Sequence, residues 1–374
     1  QPAAAPAPDA PPDARVVALS RASERVLGHA GAWQAMAGAR LSAYERMRIW
    51  HESVPAASRD VLVFDAADVG EPNLGYIVEN RLLQAALLGA FTAAGGHLHR
   101  AQFTSLRIAD DAVEVRTASG ALSARLVVGA DGAQSALREA AGLTAEVSDY
   151  RQNAIVASVA TAQPHEKTAW QRFMRRGTLA FLPLADGSSS IVWSADAELA
   201  VWLMAASETA FQAELDRASD LALGATRLTS ARRTFALRRL AAHHYVAQRV
   251  ALIGDAAHVV HPLAGQGVNL GLMDAAALAQ LVLAAQVRHE DPGALGVLRE
   301  YERWRKSDVA LMDAAIGAFD RLLAHGAGPL SRLAQRGLSW VNRSQELRRL
   351  FIRRALGLTG ELPEAATLAV TRNK

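Results

Sequence analysis

The sequence contains no cysteine. Disulfides, thiolate metal sites and cysteine nucleophiles are excluded together, and a reducing compartment such as the cytoplasm is compatible with the composition. It holds no uninterrupted apolar run of about 18 residues, the length at which a bilayer-spanning helix is read. Neither a G-x-x-x-x-G-K-[ST] phosphate loop nor a G-x-S-x-G nucleophile elbow occurs. A surplus of one charge is missing too. There are 40 Lys and Arg against 37 Asp and Glu, a formal net charge of +3, too balanced to imply nucleic-acid binding. The first residues, QPAAAPAPDAPPDA, lack the basic-then-apolar order of a signal peptide and read as a disordered Pro/Ala segment.

What is present is a chain of 374 residues, 51% hydrophobic, enough for a sizeable core and two domains. Its most informative stretch is 249–282, RVALIGDAAHVVHPLAGQGVNLGLMDAAALAQLV. Val250 to Ile253 read as a buried strand that Gly254-Asp255 breaks. A loop holding Pro262, Gly265 and Gly267 then leads into a helix. An aspartate at the carboxyl end of a strand accepts hydrogen bonds from sugar-like hydroxyls. The loop glycines let backbone N–H groups approach a ligand, and the helix aims its positive end at it. Glycine spacing alone would fit an ordinary strand–turn–helix equally well. Asp255, Pro262, Gly265, Gln266, Gly267 and Asn269 in one stretch favour a polar cofactor.

A second signal lies in ARLVVGADGAQSALREAAGL (124–143), where a buried strand ends at Asp131-Gly132 and a helix beginning around Ser135 carries Arg138. By itself an Asp-Gly after a strand is usually a tight turn. Elsewhere RVVALSRASERVLGHAGAWQAM predicts a short strand, then a helix from about Ser20 to near Gly31. YERMRIWHE and DVLVFDAAD predict strands, and Asn80 is a candidate cap for a helix running to Gly95. HLHRAQFTSLRIAD, DAVEVRTASG and ALSARLVVGADG predict three strands. NAIVASVAT, AWQRFMRRG, TLAFLPLADG and SSIVWSAD predict antiparallel strands, with a helical piece around Ser207–Leu223.

The 249–282 stretch resembles the second flavin-binding motif of the group A FAD-dependent monooxygenases, the para-hydroxybenzoate hydroxylase superfamily. It is especially similar to the branch of ubiquinone-biosynthesis hydroxylases that act on 2-polyprenylphenols. The resemblance implies that Asp255, following Gly254, binds the ribityl chain of FAD. It places the loop from Pro262 through Gly265, Gln266 and Gly267 at the isoalloxazine ring, with Asn269 in the first helical turn. Reduced flavin is an anion at N1–C2=O, and a helix N-terminus stabilises charge developing there. Asp131, Gly132 and Arg138 match the family's Asp-Gly motif, which serves FAD binding and pyridine-nucleotide use. Arg15 and Arg81 match positions where an arginine meets the cofactor's phosphates or ribityl chain, a role its planar fork suits. On the residues alone, both read as surface arginines.

The implied fold is α/β with an α+β insert. An FAD-binding Rossmann-like domain, N-terminally truncated, is made of 15–45, 75–149 and 236–300. An inserted antiparallel-sheet substrate domain is made of 46–74 and 150–235, a C-terminal helical region covers 301–374, and 1–14 is disordered. Phe181 and Pro183 are candidates for the lining of an apolar substrate pocket. The implied reaction uses NAD(P)H and O₂ to hydroxylate a polyprenylphenol, a polyprenylated phenol on the route to ubiquinone. The flavin carries the redox chemistry, so no catalytic side chain is assigned. His258 and His261, with His243-His244 nearby, do not complete a zinc ligand set, so no metal is expected.

Segment 330–358 is rich in arginine, with Trp340, Val341, Leu350 and Phe351 at roughly helical spacing. A solvated helix packing one apolar stripe explains it. The sharper expectation is a cationic face for the inner-membrane surface or a ubiquinone-biosynthesis complex. Family members begin with a strand, a G-x-G-x-x-G turn and a helix that seat the ADP half of FAD. This sequence contains no such element, and a βαβ unit takes roughly 30 residues. The expectation is an ordinary enzyme whose unit lies upstream of Gln1. The competing expectation is a truncated, non-catalytic binding subunit of a ubiquinone-biosynthesis assembly.

Overall fold

The computed structural model describes residues 13, 15–37, 40–262, 265–319 and 344–367. In chain order the described strands and helices begin with β1 (Val16–Leu19), α1 (Arg21–His29), α2 (Trp33–Ala37), β2 (Ser42–Tyr44), β3 (Arg46–His51), β4 (Leu62–Asp65), β5 (Gly75–Glu79) and α3 (Asn80–Ala93). Next come β6 (Phe103–Ile108), β7 (Val113–Thr117), β8 (Gly120–Ala124), β9 (Val127–Gly129) and α4 (Ala136–Ala140). The middle of the chain holds β10 (Ala145–Thr161), β11 (Thr168–Met174), β12 (Gly177–Pro183), β13 (Ser189–Asp196), α5 (Ala197–Ala205), α6 (Glu208–Ser219), β14 (Thr226–Leu228) and β15 (Arg233–Ala242). The last are β16 (Val246–Ala247), β17 (Val250–Leu252), β18 (His258–Val259), α7 (Gly267–Val287), α8 (Leu295–Phe319) and α9 (Gln345–Ala355).

Local signals account for several boundaries. Ser20 caps α1, its Oγ accepting the Ser23 N–H at 3.2 Å, and Gly31 follows the helix at φ +75°. Ser135 caps α4 by accepting the Arg138 N–H at 2.9 Å. The run expected to form one strand at 121–132 forms two, β8 and β9, because β8 pairs with β7 whereas β9 pairs with β17. Helix α5, not foreseen in the sequence, starts where Asp196 Oδ1 accepts the Leu199 N–H at 2.8 Å.

The chain divides into two compact units. The first comprises Gln1–Ala90, Arg151–Leu237 and Ile316–Gly360, the second Phe91–Tyr150, Arg238–Ala315 and Glu361–Lys374. In this division the chain passes from one unit to the other at 150–151 and at 237–238. Residues 15–45 and 75–90 group with the sheet and not with the motif-bearing segments. The reason is pairing within the first unit: β5 takes β1 and β2 as antiparallel neighbours, and the Leu74 N–H donates to Tyr44 O, next to β3.

In the first unit the main sheet runs β10-β13-β12-β11-β3-β4, with β14 on β10. Residues opposite one another share a face. Leu179 and Phe181 therefore stand with their partners Trp193 and Ile191, on the face covered by α5 and α6 through Leu203, Phe211 and Leu215. The opposite face carries rows that mix small, hydroxyl and aliphatic side chains, Thr178–Ser194–Ala154, Ala180–Val192–Val156 and Leu182–Ser190–Ser158. On a third side of this unit α9 buries Ile352 and Leu356 against Ala66 and Leu74.

In the second unit β9 and β17 run parallel, with Val127 opposite Val250 and Gly129 opposite Leu252. Helices α7 and α8 cover them, packing Ala277, Leu278, Leu298 and Tyr301 against Ala251 and Leu252. Helix α7 has the length and composition of a membrane span, although the sequence offered no such run. It nevertheless buries Asn269 and Asp274 together with Leu270, Met273 and Leu278. The antiparallel β6-β7-β8 meander is tied on by Arg249, which is buried and donates to Asp110 O, to Arg125 O at 2.9 Å and to Asp291.

Candidate flavin site

The two sequence motifs meet because their strands do. β9 and β17 are parallel neighbours and both run out at the same end, where the Ile253 N–H donates to Gly129 O at 2.9 Å. The Asp131-Gly132 and Gly254-Asp255 turns thus stand side by side at the carboxyl ends of adjacent parallel strands, the usual ligand edge of an α/β sheet. Arg138 joins them. Its guanidinium donates to Ala256 O at 2.8 Å and to Ala133 O at 2.9 Å, linking α4 to the turn after β17.

Asp131 is exposed, and its Oδ2 accepts the Leu137 N–H at 3.1 Å, while Gly132 takes φ +85°. Two of the five N–H donors of the Arg138 guanidinium thus go to main-chain carbonyls. Arginine outlasts shorter donors here because its fork reaches two carbonyls at once. Gly254 sits at φ +57°, which strains any L side chain, with its Cα side facing Gly271. Asp255 is exposed at the tip of this turn.

The loop and helix start are equally local in origin. The Gly265 N–H donates to Pro262 O at 2.9 Å, Gly265 takes φ +62°, and Asn269 Nδ2 reaches back to Gly265 O at 3.3 Å. Asn269 is 5% exposed, so the loop is anchored from inside. Gln266 precedes α7 and supplies no side-chain cap, while a Cβ built on Gly267 would meet open space. Helix α7, 21 residues long, starts here without a side-chain cap from Gln266, and Gly271 in its second turn faces Gly254. These residues fit the ribityl and ring end of a flavin: an anion-stabilising helix end, hydroxyl acceptors and glycines that permit close approach.

These ten motif residues belong to the second unit; Arg15 and Arg81 belong to the first. There the β1–β5 pairing brings them to one edge, since the Asn80 N–H donates to Arg15 O at 3.1 Å and Arg81 follows on α3. Both arginines are exposed, and the Arg15 guanidinium carbon lies 6.0 Å from the Phe235 ring centroid. Phe181 and Pro183 require correction as pocket lining. Phe181 is 2% exposed within the core under α5 and α6, and strand alternation puts Pro183 on the same face. Their neighbours Ala180 and Leu182 face the other way, near Ser158 and Ser190, whose buried hydroxyls have no partner among the described residues.

The sequence reading missed a buried ionic cluster directly behind the Gly254 turn. Asp274 on α7, with no exposure, accepts the Gly254 N–H at 3.0 Å, the His258 Nε2–H at 2.6 Å and the Arg305 Nε–H at 2.8 Å. Arg305, itself 1% exposed, also donates to Asp308 at 2.8 Å. Burial would push the Asp274 carboxyl up; the His258 hydrogen bond and the charges of His258 and Arg305 outweigh it and hold the group below its ordinary range. His258, one of the two histidines with metal-like spacing, is thus engaged by a carboxylate. His261 packs its ring edge-on to Tyr150 at 4.7 Å.

Comparison with known proteins agrees with this geometry. Residues 25–312 match the FAD binding domain family. The chain is 39% identical over 360 residues to the ubiquinone hydroxylase UbiL of Rhodospirillum rubrum, covering 95% of this chain and 82% of that one. It is 35% identical over 361 residues to the 3-demethoxyubiquinol 3-hydroxylase of Escherichia coli K12, covering 95% and 91%. Among solved structures it is similar in fold to p-nitrophenol 4-monooxygenase PnpA from Pseudomonas putida DLL-E4 (TM-score 0.73, 17% identity, 92% of this chain and 89% of that one). It is also similar to Klebsiella pneumoniae HpxO complexed with FAD and uric acid (TM-score 0.70, 18% identity, 90% and 87%). The chain is a flavoprotein of the monooxygenase class, with FAD as its cofactor. It belongs to the FAD-binding family that includes the ubiquinone hydroxylases.

Proposed function

We propose that this protein is an FAD-dependent hydroxylase of ubiquinone biosynthesis that places one oxygen atom of O₂ on the ring of a polyprenylated phenol, with NAD(P)H as reductant. One observation carries the reading. The Asp131-Gly132 and Gly254-Asp255 turns stand on adjacent parallel strands, joined by Arg138, with Gly254 against Gly271 of α7. The names of its relatives supply the substrate class. When bound, FAD would supply the redox chemistry that couples NAD(P)H oxidation to insertion of one oxygen atom, the other leaving as water.

The chain's own residues bind and orient. Asp255 accepts hydrogen bonds from the ribityl hydroxyls, and the α7 N–H groups with Gly265 and Gly267 face the ring end, where negative charge develops. Non-catalytic binding is the less favoured reading, because the residues of both motif turns are in place. Exposed Arg349, Leu350, Phe351 and Arg353 on α9 support a peripheral contact with an anionic membrane or a biosynthetic assembly. The rest of the 330–358 segment, 330–343 with Trp340 and Val341, lies outside the described residues.

The test is purification for bound FAD, followed by complementation of a strain lacking its own ubiquinone hydroxylase. Restored quinone with NAD(P)H oxidation is expected. A flavin-loaded protein that oxidises no NAD(P)H and restores no hydroxylated precursor would falsify the reading.

A further inference from the structure

The β9–β17 ladder ends with the bond from the Ile253 N–H to Gly129 O. The Gly254 N–H points to the other side of the strand, where the Leu252 N–H still reaches Tyr245 O but Gly254 itself makes no main-chain bond of the sheet. That donor turns instead to the Asp274 carboxylate, 20 residues further along and on a different element. Asp274 lies on the buried side of α7 with Leu270, Ala277 and Leu278, where packing alone calls for an apolar residue. Burying a carboxylate there costs several kcal/mol unless donors surround it. Three do, and they come from three other elements: the Gly254 turn, β18 through His258 and α8 through Arg305. Such an arrangement fixes the position of an atom more tightly than dispersion contacts can.

We propose that Asp274 is the positioning residue of the flavin site, setting the conformation of the Gly254-Asp255 turn so that the Asp255 carboxylate meets the ribityl hydroxyls. His258 and Arg305 hold the Asp274 carboxylate in register, and Asp274 itself touches no part of the cofactor. This rests on the reading of Asp255 as a ribityl partner. Because the carboxylate accepts from Nε2, that nitrogen is the donor, and the bond it makes is one that a similarly placed N–H can supply.

The experiment compares FAD dissociation constants by fluorescence titration of apo-protein, melting temperature of the same apo-protein, and hydrogen exchange of amides 254–257. Asp274→Asn keeps the shape but turns an amide N–H₂ toward other donors whichever way it flips. It is expected to weaken FAD binding about tenfold or more and to speed exchange at the turn. His258→Leu is expected to do the same more mildly, and His258→Gln, which restores an N–H at similar reach, to recover most of the affinity. Leu278→Ala, which removes apolar packing one helical turn from Asp274 but none of the cluster's hydrogen bonds, serves as the structural control. Its melting temperature should fall while its FAD affinity stays within about twofold of wild type.

FAD affinity in Asp274→Asn equal to wild type would overturn the proposal alone. So would Leu278→Ala losing as much affinity as Asp274→Asn at the same loss of melting temperature, or His258→Gln binding no better than His258→Leu. Wild-type protein that takes up no FAD would overturn the flavin reading and this proposal with it.

Discussion

Two helix-on-strand contacts in this chain do different jobs with different chemistry. Helices α5 and α6 lie on β12 and β13 through Leu203, Phe211, Leu215, Leu179 and Trp193, an apolar contact in which Trp193 and Phe211 pack at 6.2 Å between ring centroids. Helices α7 and α8 lie on β17 and its turn with Asp274, His258 and Arg305 buried among the apolar side chains. Apolar burial is non-directional and tolerates repacking, so the first contact sets a distance. A carboxylate with three converging donors sets an orientation, and the cost of burying it is justified only where orientation matters. The contrast marks the second unit as the one whose backbone must hold a ligand-facing turn still.

The comparison breaks most decisively at Asp274. Asp274→Ala leaves Arg305 and His258 as buried donors and is expected to cost about 3–5 kcal/mol, measured by urea unfolding. If it costs no more than an apolar truncation, the cluster is not organised as the geometry indicates. Its pH signature is the next sharpest test. The Asp274 carboxyl is held low in the folded state, so its contribution is present above the unfolded value of about 4. That contribution is lost as pH falls through the depressed folded value. Wild type should therefore lose more stability on acidification than Asp274→Ala, as denaturation midpoints below pH 5 would show, and parallel curves would refute it.

On the apolar side, Ile155→Val removes one methyl group from a fully buried position and should cost about 0.5–1.5 kcal/mol, with FAD affinity unchanged in titration. A smaller stability effect is expected for Asp255→Ala, within about 0.5 kcal/mol because the residue is exposed, together with a clear loss of FAD affinity. Arg176→Ala comes last, because no change in FAD affinity is expected of it. It removes the half-exposed pairs with Asp196 and Glu198, should shift stability by about 0.2–1 kcal/mol, and should do so less in high salt.

How legible each part was depends on how local its cause is. Ser20 and Ser135 cap helices through bonds to residues three positions away, so both helix starts could be read. The Gly254-Asp255 break, the glycine loop and the α7 start were likewise legible, because turn, loop and helix end lie within one short run. Alternation along β12 gave the strand but not which face meets the helices, and Phe181 and Pro183 were assigned to the wrong one. Nothing in the helix that carries Arg138 shows that its guanidinium also bonds Ala256 O, 118 residues later. In LMDAAAL, Asp274 reads as a polar position on a helix, since its three partners come from a turn, a strand and another helix.

The amino-acid order alone determined the elements around the flavin motifs, the absence of cysteine chemistry and the resemblance to flavin monooxygenases. Each of these follows from residue type or from bonds spanning a few positions. Only the tertiary structure decided which strands lie side by side, that Arg138 links two motifs and that a buried carboxylate holds the turn between them. Hydrogen bonds over such separations exist only once loop closure has brought their ends together, and no local pattern encodes that encounter.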